Sequence, residues 1–113
     1  MKRYGSIVRL ADGSEEEYRR LHQAVWPGVT ARMAASHIST FTIFLRDGLL
    51  FSYMEYVGDD FEADMAAISA DQTTLSWWRL TEPLQKPVES ATEGEWWAPM
   101  DEVFHFHADD RGT

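Results

Sequence analysis

Strand-like and helical segments succeed one another as β-α-β-β-α-β along 113 residues, which predicts an α+β domain of the ferredoxin-like kind, an antiparallel sheet with its helices on one face. Three observations carry the prediction. Residues 4–10 alternate with a period of two, two strand-forming runs flank an Asp-Gly at 47–48, and a helical stripe follows both the first strand and the hairpin. Residues 1–107 form one domain on this reading, and 108–113 are a polar tail.

Each element has its own local reason. Tyr4, Ser6, Val8 and Leu10 share one face of the first strand, which stops at the turn signal Ala11-Asp12-Gly13. Ser14 with Glu17 three residues later forms a capping-box pattern, and Glu15 and Glu16 add negative charge where the helix dipole favours it. That helix runs to about Val25. Pro27 then suits the first position of a second helical segment carrying Val29, Met33 and Ala34. The runs Ile38 to Leu45 and Leu49 to Val57 read as a β-hairpin turning at Asp47-Gly48. Asp59 and Glu62 are spaced as a cap for a helix bearing Phe61, Met65 and Ile68, and a short helix follows over Thr74 to Leu80. Pro83 to Pro99 lacks periodicity and reads as a long loop, of a length more often functional than idle. Met100 to His107 alternates again, with Glu102, Phe104 and Phe106 on one face, and is expected to be the fourth strand.

Composition excludes several functions. Nineteen acidic against ten basic residues give a net charge of −9, a field that repels nucleic acid and anionic membrane surfaces. No run approaches the ~18 apolar residues of a membrane helix, and the N-terminus lacks the pattern of a secretory signal. The absence of cysteine removes disulfides, thiolate nucleophiles and cysteine zinc sites, and suits the cytoplasm. A sheet with helices on one side leaves its other face uncovered. A second copy is the economical cover, so a homodimer with its sheets face to face is expected.

Tyr18 and His22 stand four apart, which puts a phenol and an imidazole on one helix face where both can reach a small ligand. The same spacing equally describes a buried pair on the helix's core stripe. Arg19 and Arg20 follow Glu15 and Glu16 by four residues and read as surface ion pairs. Trp77-Trp78 and Trp96-Trp97 cannot all point inward; they offer flat faces to the C–H surface of a sugar, or one of each pair packs at a dimer seam. His105 and His107, with Asp101, make only a weak metal-ligand pattern, and no metal site is assigned. Nucleotide-binding, zinc-protease and serine-hydrolase motifs are missing from the sequence.

The spacing Tyr18-x-x-x-His22-x-x-x-Trp26-Pro27 resembles the L-rhamnose mutarotase family. So do Phe44-Leu45-Arg46-Asp47-Gly48-Leu49-Leu50, Asp64-Met65-Ala66, the Trp77-Trp78 pair and the run from Gly94 to Phe104, in order and over nearly the whole chain. The resemblance implies a dimeric α/β barrel enzyme that works without cofactor or metal and interconverts the α and β anomers of L-rhamnose. It implies that His22 is the catalytic acid, that Tyr18, Trp77 and Trp78 contact the sugar, and that Glu102 is a partner that orients or accepts. Thr40-Phe41 stands where the family commonly has Asn-Tyr, so Phe41 keeps the sugar-contacting ring and loses its hydroxyl. Leu21 stands where the family often has an Arg before the histidine. Two other readings accompany this one: a cofactor-free monooxygenase or cyclase acting on an aromatic substrate, which Phe41 and the surplus of tryptophan favour, and a sugar-binding homologue without catalysis.

Overall fold

The computed structural model describes residues 1–108. Strand β1 (Lys2–Leu10) leads into helices α1 (Glu15–His22) and α2 (Pro27–Ala35), and strands β2 (Ile38–Arg46) and β3 (Leu49–Tyr56) follow. Helices α3 (Phe61–Ser69) and α4 (Gln72–Thr81), a single 3₁₀ turn at Glu82–Leu84, and the short strands β4 (Gln85–Lys86) and β5 (Ala98–Met100) complete the fold. All pairings are antiparallel, in the order β2-β3-β1-β4, with β5 also on β1. This is the ferredoxin-like order with its helices on one side.

The hairpin forms where expected. Asp47 and Gly48 both take positive φ, 54° and 73°, the mirror-image turn whose twist matches the strands on either side. Near the start of β2 the register slips, Ile38 pairing with Tyr56 and Thr40 with Glu55, so Ser39 is bulged out. The slip sets the side-chain alternation of the rest of β2. Phe41, Met54 and Tyr4 then lie in one row across the sheet, and Ile43, Ser52 and Ser6 in the next. A third row, Leu45, Leu50 and Val8, meets Tyr18 and Leu10 in the core, with Leu84 and Trp97 packed against it. Leu50 and Val8 are 1% and 0% exposed. Burial on this scale contributes about 1.5–3 kcal/mol per side chain, and Leu50→Ala is expected to cost about 2–5 kcal/mol.

Local expectations differ from the structure in five places, the first being that α1 ends at His22 and does not run to about Val25. Ser14 precedes α1 with helical backbone angles, φ −98° and ψ −6°, and its hydroxyl caps nothing, while Glu17 takes a two-pronged ion pair with Arg20 at 2.6 and 2.7 Å. Arg20 therefore pairs with Glu17 rather than Glu16, while Arg19 pairs with Glu15 as expected. Asp60, not Asp59, caps α3 by accepting from the Ala63 amide. Asp71 caps α4 through both the amide and the hydroxyl of Thr74, which starts that helix at Gln72.

The fourth strand is the largest correction. Its place beside β1 is divided between β4, opposite Arg9 and Leu10, and β5, opposite Gly5 to Ile7. Only Met100 of the expected strand Met100 to His107 takes part. Met100 faces Gly5 and the ladder ends there, although Lys2 to Tyr4 of β1 extend three residues further. Val103, Phe104 and Phe106 are exposed, at 94%, 80% and 72%. Of the expected tail, residues 109–113 lie outside the described residues.

Candidate functional site

A cavity of about 1000 Å³ opens between the sheet and the helices. Its floor is the row of Phe41, Met54 and Tyr4 with Ser6 and Ser52 beside it, and the helices roof it with apolar residues such as Val29, Met65 and Ile68. A few polar groups on a largely apolar and aromatic lining describe a small-molecule site for an amphipathic ligand.

The helical spacing of α1 delivers Tyr18 and His22 to this cavity together. Their rings stack at 4.2 Å between centroids. His22 Nδ1 lies 2.8 Å from the Tyr18 carbonyl oxygen, and because a carbonyl only accepts, Nδ1 carries the proton in that contact. Nε2 is then the nitrogen left to exchange a proton with a ligand. On its other side His22 meets the edge of Trp77 at 5.4 Å, and Trp77 in turn meets Trp26 at 5.2 Å. Trp77 is buried and Trp78 half-buried, and both line the cavity, as does Phe41. The five residues singled out from the sequence, His22, Tyr18, Phe41, Trp77 and Trp78, thus share one space.

Trp96 and Trp97 also line it, Trp97 packed against the core and Trp96 39% exposed, so the more exposed member of each pair still reaches the cavity. Residue Gln85 escaped notice in the sequence because it sits in an aperiodic stretch and bears no charge. It is buried, donating from Nε2 to the Tyr18 hydroxyl at 3.2 Å and accepting from Trp96 Nε1 at 2.7 Å. Burial pushes the Tyr18 phenol above its ordinary range, and the Gln85 hydrogen bond acts in the opposite direction.

Glu102 does not join His22. It receives Nε and Nη2 of Arg3 at 2.7 and 3.2 Å, and that bond holds its carboxyl below the usual range. Glu102 is absent from the cavity lining and lies beside Arg3, two residues past the end of β5. His105 and His107 stack on each other at 6.5 Å, and among the described residues no group of three or more His, Asp or Glu is arranged to hold a metal ion. Among the same residues, no helix is long and apolar enough to cross a membrane.

Comparison with known proteins agrees with the geometry. The L-rhamnose mutarotase from Listeria monocytogenes serotype 4b (strain F2365) is 33% identical over 88 residues, spanning 76% of this chain and 82% of that protein. The crystal structure of L-rhamnose mutarotase from Formosa agariphila superposes with a TM-score of 0.74 at 19% identity, covering 95% of this chain and all of that one. Tetracenomycin F2 cyclase from Streptomyces glaucescens, a type-II polyketide cyclase, shares the fold at a TM-score of 0.63 and 12% identity, covering 96% of this chain and all of that one. A model of the L-rhamnose mutarotase family matches residues 3–106, and the chain belongs to that family.

Proposed function

We propose that this protein interconverts the α and β anomers of L-rhamnose, or of a closely related deoxy sugar, in the cavity between sheet and helices, without a cofactor. The observation that carries the reading is His22, pinned through Nδ1 to the Tyr18 carbonyl with Nε2 left for the ligand. Anomer exchange needs a proton delivered to the ring oxygen and one removed from the anomeric hydroxyl. The bond between C1 and the ring oxygen then breaks to give the open aldehyde, the C1–C2 bond turns, and the ring closes on the other face as the protons return. His22 is the catalytic acid in this scheme, acting as the imidazolium: Nδ1–H stays on the Tyr18 carbonyl while Nε2–H protonates the ring oxygen and is regained on ring closure, and water accepts the hydroxyl proton and returns it. Tyr18 contacts the sugar through its hydroxyl, while Phe41, Trp77 and Trp78 cover its C–H surface and methyl group. Placing such groups supplies about 10²–10⁴-fold, enough for a reaction that already proceeds unaided.

The working unit in this reading is a homodimer in the cytoplasm. Phe44, 62% exposed, pairs with Phe51, which pairs with Ile7, so an apolar row crosses the sheet face away from the helices. A second copy covers that row and gives the exposed segment from Val103 to Phe106 a surface to pack on. A chain without cysteine suits the reducing cytosol.

The test is NMR exchange spectroscopy on L-rhamnose and a panel of deoxy and fully hydroxylated sugars. Acceleration of L-rhamnose or a deoxy relative is expected; acceleration of none overturns the reading.

A further inference from the structure

Gln85 is 6% exposed, and both ends of its amide are engaged. An indole N–H only donates, so the atom of Gln85 facing Trp96 Nε1 is the oxygen, and the NH₂ group faces Tyr18. The opposite amide flip would set two donors against each other beside Trp96 and leave both without an acceptor. At Tyr18 the consequence is directional. The phenolic oxygen accepts from Gln85, and among the described residues its own proton meets no acceptor. Tyr18 is buried and lines the cavity, so that proton is free for a ligand.

We propose that Gln85 is a positioning residue that sets the polarity of the Tyr18 hydroxyl, committing it to donate to an oxygen acceptor on the bound sugar. The proposal rests on the sugar reading above and adds which way that hydrogen bond runs. Residues 87–97 share in the control, because they carry Trp96 and Trp96 holds the amide in its orientation. A turn at Thr92–Glu95, with Gly94 at φ 88° and the Thr92 amide donating to the Glu95 side chain, brings the chain back toward Gln85. The cavity thus has an oriented donor that the helix α1 motif alone does not specify.

The substitution Gln85→Glu provides the test. A carboxylate there still accepts from Trp96, but it also accepts from Tyr18 and takes the phenolic proton away from the ligand. The readout is the Kd for L-rhamnose by tryptophan fluorescence, in the wild-type and Tyr18→Phe backgrounds. Weakening by about 5–10-fold is expected where Tyr18 is present, and less than about two-fold where it is Phe. A purely structural or charge effect would not depend on the Tyr18 hydroxyl, so equal losses in both backgrounds overturn the proposal, as does no loss in the first. Should Gln85→Glu fail to fold, Trp96→Phe on the exposed loop frees the amide to flip. It is expected to raise Kd by about two- to three-fold only in the Tyr18 background, and no such dependence overturns the proposal. A wild-type protein that binds L-rhamnose without exchanging its anomers overturns the mutarotase reading and leaves this test intact; one that binds no sugar overturns both.

Discussion

The Nδ1 of His22 donates to the main-chain carbonyl of Tyr18, one helical turn earlier, and the same two residues stack their rings 4.2 Å apart. One residue thereby fixes the other twice, by tautomer and by plane. The carbonyl is the i−4 acceptor of the helix itself, in the last turn of α1, which ends at His22, so the imidazole folds back onto its own helix. Helix geometry alone thus orients the proposed catalytic acid.

His22→Ala is expected to lower anomer exchange by about 10²–10⁴-fold while leaving the fold intact. Saturation-transfer rates on L-rhamnose, alongside circular dichroism, measure both. An unchanged rate would remove His22 from the mechanism.

Phe41 lines the cavity without a hydroxyl, so the protein is expected to discriminate weakly among sugars that differ at the position a tyrosine would hold. Phe41→Tyr should tighten L-rhamnose relative to those sugars by about 1 kcal/mol, the net worth of one hydrogen bond. Binding constants across the sugar panel decide it; an unaltered ranking would count against the inference.

Sedimentation at micromolar concentration is expected to return twice the chain mass of 13.0 kDa. Phe44→Glu places a charge in the middle of the apolar row and should shift the protein toward monomer. A wild-type mass near that of one chain would refute the dimer.

Tyr56 and Asp64 give stability a predictable pH dependence. Burial, then the hydrogen bond it donates to Asp64, pushes the Tyr56 phenol from an ordinary value of 10 up to about 12. The folded state keeps a proton that the unfolded chain releases, so this contribution is full below pH 10 and is lost between pH 10 and about 12. Asp64 runs the other way. Hydrogen bonds from Tyr56 and then His37 hold its carboxyl below the ordinary 3.8, so its contribution is present above that pH and disappears as acid protonates the folded form. Urea unfolding across pH should show a shallower alkaline fall for Tyr56→Phe and a shallower acid fall for Asp64→Asn. Slopes identical to wild type would refute the assignment.

The sequence by itself determined the elements and the face that α1 presents. The alternation of β1, the Asp47-Gly48 turn, Pro27 at the start of α2, and Tyr18 with His22 one turn apart all depend on residues within four positions of each other, where backbone geometry decides. Family likeness rested on the same local motifs. Tertiary structure decided whatever needed a distant partner. Gln85 meets Tyr18 across 67 positions, and Arg3 draws Glu102 away from the cavity across 99. The alternation of Met100 to His107 correctly reports strand-forming side chains, but a strand also requires a neighbour with unpaired backbone groups. Here β5 ends at Met100 opposite Gly5, and the residues that follow leave the edge of β1, with Glu102 held by the Arg3 side chain instead of by a backbone ladder.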